Sequence, residues 1–231
     1  ELAVKSFISH GLALNPKAKF IHLSYSDTLA LDNSETVKDL VQSKEYQEIF
    51  PEVSIKKDSK AKDKWYTTQG GGVLARAAGG QVTGFGAGLV DDPDKDLDEF
   101  IIDQKEGFGG AIIIDDPVKP EDADGDTIRE KVNSRFDSTI RTRTNSRKTP
   151  IIVIMQRLHP RDLSGYLQRE EEEDEWTVLE LPALKDGKAL WGFKHTVEEL
   201  LKLKRSNDVV FERQYQQNPK PKEGLMFPED E

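Results

Sequence analysis

Gly109-Gly110-Ala111-Ile112-Ile113-Ile114-Asp115-Asp116-Pro117 is an apolar run that ends in two adjacent carboxylates and a proline. No side chain from Ala111 to Ile114 is polar, so both faces of the segment require burial. That suits a strand inside a parallel sheet better than one with a solvated face. Pro117 has no N–H for a further ladder bond, so the chain leaves the sheet there. Asp115 and Asp116 are thereby left at the strand's carboxyl end, where open α/β sheets place their ligand crevice.

The surrounding chain alternates helix and strand patterns. Leu2, Phe7, Ile8, Leu12 and Leu14 form a helical stripe ended by Asn15-Pro16. Lys19 to Ser24 (KFIHLS) reads as a strand, and Asp27 to Phe50 as helix with a break near Asp32-Asn33-Ser34. Trp65 to Thr68 and Gly72 to Ala75 flank Gln69-Gly70-Gly71, which predicts a hairpin. A capping box at Thr127 and Glu130 predicts a helix start, with Ile128, Val132, Phe136 and Ile140 on its apolar face. Pro150 to Met155 is a second near-continuous apolar strand, Leu163 begins another helix, and Trp176 to Leu181 reads as a further strand. Thr196 and Glu199 repeat the capping box and open a polar helix through about Gln217. Strands separated by helices predict an α/β fold with a wound, mostly parallel sheet. Gly84 to Pro93 echoes Gly107 to Pro117, but only the second copy has a full buried-strand run.

The 231 residues suffice for one large α/β domain or two small ones. There is no cysteine, which excludes disulfides and thiolate metal sites. His10, His22, His159 and His195 lack zinc-ligand spacing. No apolar run approaches membrane-spanning length and no signal-peptide pattern opens the chain, so a soluble intracellular protein is expected. Glu1 falls within a helical pattern and Glu231 closes no element, which predicts the middle of a longer protein.

A net charge of −10 argues against a simple nucleic-acid coat. Arg129, Lys131, Arg135, Arg141, Arg143, Arg147 and Lys148 nevertheless form a basic segment. It reads as an arginine finger for a neighbouring subunit, as a DNA-backbone contact, or as surface arginines paired with local acids. The acidic runs Asp91 to Glu99 and Glu170 to Glu175 read as solvated faces.

A buried strand ending in an acid is how a Walker B strand is built. Asp115 fits the task of holding Mg²⁺ beside ATP, and Asp116 that of facing the attacking water. The usual second acid is Glu; an Asp is one methylene shorter, so it would act through water, or Glu121 would serve. The plain alternative is a strand ending in an acidic turn. Gly79 to Gly88 is glycine-dense but lacks Gly-Lys-Ser/Thr, so it reads as a mobile loop or a place of close backbone approach. Met155-Gln156-Arg157 ends the second apolar strand, where polar groups either sense a γ-phosphate or form a plain strand-to-helix turn.

Three ordered blocks carry a resemblance. Gly107 to Pro120 resembles the Walker B block, and Thr149 to Gly165 the coupling motif, of the large subunit of tailed-phage terminases. Phe211 to Pro219 with Glu223 to Phe227 resembles the junction leading to that family's nuclease domain. The resemblance covers nearly the whole chain. It implies a P-loop NTPase of the additional-strand type, incomplete at the N-terminus, using ATP and Mg²⁺ to drive double-stranded DNA into a procapsid. The P-loop would end just before Glu1 and the nuclease carboxylates would lie beyond Glu231. The fragment alone is thus expected to bind ATP poorly and hydrolyse it barely, if at all.

By position, the resemblance implies that Asp115 holds the metal, that Asp116 takes the catalytic-acid place, and that Gln156 and Arg157 form the coupling motif. Arg76, Arg141 and Arg143 are candidates for the arginine acting in trans, and Thr83-Gly84 stands where related motors place Arg-Gly. Residues 1–182 would form the ATPase core and 183–231 a linker or helical subdomain. The implied partners are DNA, a portal protein, a small terminase subunit and further copies in a ring, in the host cytoplasm and without a membrane. Two other readings compete: another DNA-translocating P-loop ATPase of helicase type, and an inactive scaffold. The helicase type lacks support, since Asp-Glu with Ala/His and the later Ser/Thr-Ala-Thr are missing.

Overall fold

The computed structural model describes residues 2–91, 108–169 and 176–220. By contacts the chain divides into Glu1–Pro117 with Ser134–Ile154, and Val118–Asn133 with Met155–Glu231. The acidic residues 92–99 and 170–175, Gly107 of the first resemblance block and the 223–227 junction lie outside the described residues.

The first unit is α/β. It contains α1 (Leu2–Leu14), β1 (Lys19–Ser24), α2 (Asp27–Gln42), α3 (Lys44–Ile49), β2 (Lys64–Tyr66), β3 (Gly72–Ala77), β4 (Ile112–Asp115) and β5 (Ile151–Ile154). The sheet order is β2-β3-β1-β4-β5. β3, β1, β4 and β5 are mutually parallel, and β2 pairs antiparallel with β3 through the predicted hairpin. Four parallel strands, one antiparallel strand and flanking helices are compatible with Rossmann-like and P-loop-like folds.

The apolar run that decides the fold forms β4 with all four residues buried. Val4, Ile8 and Leu12 of α1 and Val37 and Val41 of α2 pack with Phe20, Val73, Ala111 and Ile113 in one core. Trp65 sits in that core, fully buried, and its indole N–H donates to Ser34 Oγ at 2.9 Å. The Ser34 hydroxyl in turn donates to the Lys62 carbonyl. Asn33 and Ser34 therefore lie within a continuous α2 rather than at a break. They fall on the inward stripe with Ala30, Val37 and Val41. The break comes at Ser43, whose side chain accepts from Tyr46 N–H and caps α3.

β5 differs from expectation in another way. Its apolar run matches that of β4, yet its residues are only partly buried, and Ile154 is 36% exposed. Among the described strands it pairs only with β4.

Helix α4 (Asp126–Arg135) begins one residue before the expected box, so Thr127 lies inside its first turn. Arg129 and Asn133 are its buried residues, while Ile128 is exposed. The guanidinium of Arg129 is neutralised locally, donating to the Ala123 carbonyl and to Asp126. That is how a charged residue replaces the expected apolar one. The chain continues through a π turn at Phe136–Ile140 and a 3₁₀ turn at Arg141–Arg143.

In the second unit, α5 (Leu163–Leu167) is capped by Asp162. Residues 176–181 form no strand, and Val178, Leu179 and Leu181 are all exposed. A two-strand hairpin follows instead, β6 (Leu184–Lys185) with β7 (Lys188–Ala189). The Thr196/Glu199 capping box is present and opens α6 (Val197–Ser206). The helix does not reach Gln217 unbroken. Asn207 stops it and caps α7 (Asp208–Val210), which runs into a π turn at Phe211–Tyr215.

Candidate functional site

β4 ends on Asp115, paired in register with Ser24 of β1 and Ile154 of β5. Side chains alternate along a strand, and in-register parallel partners share a face. Phe20, His22 and Ser24 therefore face the same way as Ala111, Ile113 and Asp115. The shared core places α1 and α2 over that face. Asp115 itself is 5% exposed.

Helix α1 runs antiparallel to β1, to which Asn15-Pro16 connects it. Gly11, near its end, lies so close to Phe20 that an added Cβ would meet that ring at 2.6 Å. The first turns of α1 consequently point toward the carboxyl edge of the sheet, and the Lys5 charge is felt at His22. Asp115 and the first turns of α1 thus share one edge and one face of the sheet.

Asp116 adopts a left-handed backbone conformation, φ 46°. Its N–H donates to the Ile154 carbonyl at 2.8 Å and its carbonyl accepts from Tyr25 N–H at 2.9 Å. It joins the ends of β1, β4 and β5, a role that Asp tolerates better than most residues. Nothing in the sequence pattern announces this conformation.

Beside Asp115 lies a polar layer that sequence reasoning missed. His22, Ser24 and Asn33 are at most 1% exposed. Both His22 ring nitrogens, Ser24 Oγ and both Asn33 amide atoms have no hydrogen-bond partner among the described residues. Burial, the largest cause, lowers the His22 pKa from 6.5 to about 4. The available signal was phase: in KFIHLS, His22 alternates with Phe20 and Ser24.

The arginine candidates are placed differently from one another. Arg76 of β3 is in register with Leu23, so it projects from the face opposite Asp115. It forms an ion pair with Asp63 and lines an open depression of roughly 570 Å³ with Asp27 and Lys62. Arg141 lies over the Phe136 ring, 5.5 Å from its centroid. Arg143 ends the 3₁₀ turn, and its carbonyl accepts from Ala87 N–H at 2.8 Å.

That last bond stitches the glycine-rich loop to the basic segment. Asn145 N–H donates to the Ala87 carbonyl, and the Asn145 side-chain amide donates to the Gly88 carbonyl. A Cβ on Gly86 would overlap Asn145, and one on Gly88 would overlap Thr149. Close approach is thus the meaning of these glycines.

Gln156 and Arg157 follow β5 in the chain and belong to the second unit, not the unit that holds Asp115. Gln156 is exposed. Arg157 Nε donates to Asp162 at 3.1 Å, and its backbone N–H to Gln217 Oε1 at 3.0 Å. Asp162 also accepts from the N–H groups of Leu158, His159 and Gly165.

No group of three or more metal-ligating side chains exists among the described residues. Asp115 fits the other kind of site, in which one carboxylate, waters and substrate phosphates complete a Mg²⁺ shell. No helix among the described residues is long and apolar enough to cross a membrane. No protein-family model matches this chain, and no curated protein matches it.

Proposed function

We propose that this chain is the motor ATPase portion of a terminase large subunit, a P-loop ATPase of the additional-strand type. The observation that carries the reading is Asp115: a buried acid ending a central parallel strand, on the face covered by α1. The only partly buried β5 supports it, since a strand with this apolar run suits a position between two neighbours. A further parallel strand on that edge, leading through a phosphate loop into α1, would complete the nucleotide site.

In this reading Asp115 anchors Mg²⁺ and Asp116 takes the place of the acid that orients the attacking water. When bound, the cation would supply charge neutralisation on the phosphates. The left-handed turn at Asp116 ties that acid's backbone to β1 and β5, so movement of either strand end reaches it. Gln156 and Arg157, directly after β5 in sequence, would pass hydrolysis on as movement of the second unit. Arg141 and Arg143, in the basic segment, would serve a neighbouring copy in a ring around DNA.

The test is DNA-stimulated ATP hydrolysis by the full-length protein and its Asp115→Ala variant. Loss of turnover is expected, and undiminished turnover would disprove the assignment of Asp115.

A further inference from the structure

The polar layer beside Asp115 has a geometry that direct pairing does not satisfy. Helix α2 returns antiparallel to β1, with Val37 and Val41 in one core cluster with Phe20 and Val73, and its first residue, Asp27, accepts from Ala77 N–H at the end of β3. One helical turn back from Val37, about 6 Å, reaches Asn33. Two residues along β1 from Phe20, about 7 Å, reach His22. Both steps run toward the carboxyl edge, so Asn33 and His22 occupy one layer between helix and sheet. Ser24 is the next inward position, paired in register with Asp115.

Five buried polar atoms on these three side chains have no hydrogen-bond partner among the described residues. Adjacent Ser34, by contrast, is bonded to Trp65 and Lys62. Polar groups brought together in a core but separated by more than a hydrogen-bond length are the usual setting of an internal water. A neutral imidazole offers one donor and one acceptor, Ser a hydroxyl, and Asn two donors and an acceptor. The set can satisfy a water that makes about three hydrogen bonds.

We propose that His22, Ser24 and Asn33 hold an internal water site directly behind Asp115, and that this site positions the Asp115 carboxylate for a divalent cation. Ser24 is the link between the two, being the inward neighbour of Asp115 across the β1–β4 pair. The second half of the proposal rests on the reading of Asp115 as the metal acid. Groups of this kind, one step behind a ligand, fix its orientation and commonly change metal affinity by about 10- to 100-fold when removed.

The test is Mn²⁺ binding to the full-length protein in the presence of ADP, followed by electron paramagnetic resonance of the free ion. Asp115→Asn, Ser24→Ala, Ser24→Thr and Asn33→Leu are compared with the parent, each with a thermal melt without metal. Asp115→Asn is expected to abolish tight binding. Ser24→Ala is expected to weaken it about 10-fold with an unchanged melt, and Ser24→Thr, which keeps the hydroxyl, to restore it. Parent-like affinity in Asp115→Asn would remove the reading of Asp115 itself. Loss in Asp115→Asn with parent-like affinity in Ser24→Ala would overturn the positioning role alone. Asn33→Leu changes core shape, so a crystal structure of the parent supplies the second measurement. Ordered water within hydrogen-bond distance of His22 and Asn33 is expected there, and a direct His22–Asn33 bond would overturn the water site.

Discussion

His22 should make the first unit acid-sensitive in a way that one substitution removes. The folded imidazole titrates at about 4, whereas in the unfolded chain it titrates near 6.5. Between those values the unfolded chain holds a proton that the folded chain refuses, so falling pH favours unfolding. The effect is absent above about pH 7.5, grows as pH falls through 6.5, and levels off below the folded value. The whole interval corresponds to roughly 3 kcal/mol, of which about 2 kcal/mol has been lost by pH 4.5. Against a typical domain stability of about 5–15 kcal/mol that is a large share. Trp65, fully buried in the same unit, gives the fluorescence signal. In urea titrations at pH 7 and 4.5, the parent's midpoint should fall by about 1 M more than that of His22→Gln. An equal fall in the two proteins would refute the argument, because acid sensitivity would then come from other groups.

Three further outcomes follow from single contacts. Ser34→Ala should cost about 2–4 kcal/mol, since it leaves the buried Trp65 N–H and the Lys62 carbonyl unpaired; a change below about 1 kcal/mol in the same urea assay would count against that bond. Asp162→Ala should cost about 3–5 kcal/mol, because it removes the α5 cap and strands Arg157 and two loop N–H groups. Hydrogen exchange at Leu158, His159 and Gly165 would report the loosening, and unchanged protection would refute it. Gly88→Ala should destabilise by about 2 kcal/mol through left-handed strain and overlap with Thr149. Adding Thr149→Ala should recover the overlap but not the strain, and full recovery or none would contradict that division.

Much of the first unit was legible because its elements follow simple periods. Phe20, His22 and Ser24 alternate with Lys19, Ile21 and Leu23, and the strand appears with that phase. The α1 stripe ends at Asn15-Pro16 as expected, and the Gln69-Gly70-Gly71 hairpin forms. Failures came where long-range contacts override local preference. Asn33-Ser34 looks like a helix break until Trp65, distant in sequence, supplies a partner inside the core. Ile128 yields its inward place to Arg129 because Asp126 and the Ala123 carbonyl accept a guanidinium there. Trp176 to Leu181 has strand-like residues but no partner strand among those described. At the candidate site, the place of Asp115 at the end of a buried strand could be read from the sequence. The left-handed Asp116 and the polar layer could not, since backbone conformation and unmet hydrogen bonds leave no mark on composition.

β4 and β5 show what a pattern cannot specify. Ile112–Asp115 and Ile151–Ile154 carry nearly the same apolar content, yet one is wholly buried and the other only partly buried. Sequence records what a strand needs on its two faces, while burial records whether a neighbour meets the need. An apolar edge with free backbone groups is a liability that proteins cover, charge or shorten, and β5 carries no charge to protect it. Its composition is that of an interior strand, which is why a further parallel strand, on the side where no described strand pairs with it, belongs to the proposed function. Amide exchange decides the point. In chain 1–231, the β5 amides that face away from β4 should exchange orders of magnitude faster than the β4 amides, which are bonded between two strands. In a longer protein that carries the proposed strand, both sets should be equally slow. Equal protection in chain 1–231 as a monomer would mean that β5 is already covered from within these residues, and the added strand would lose its structural reason.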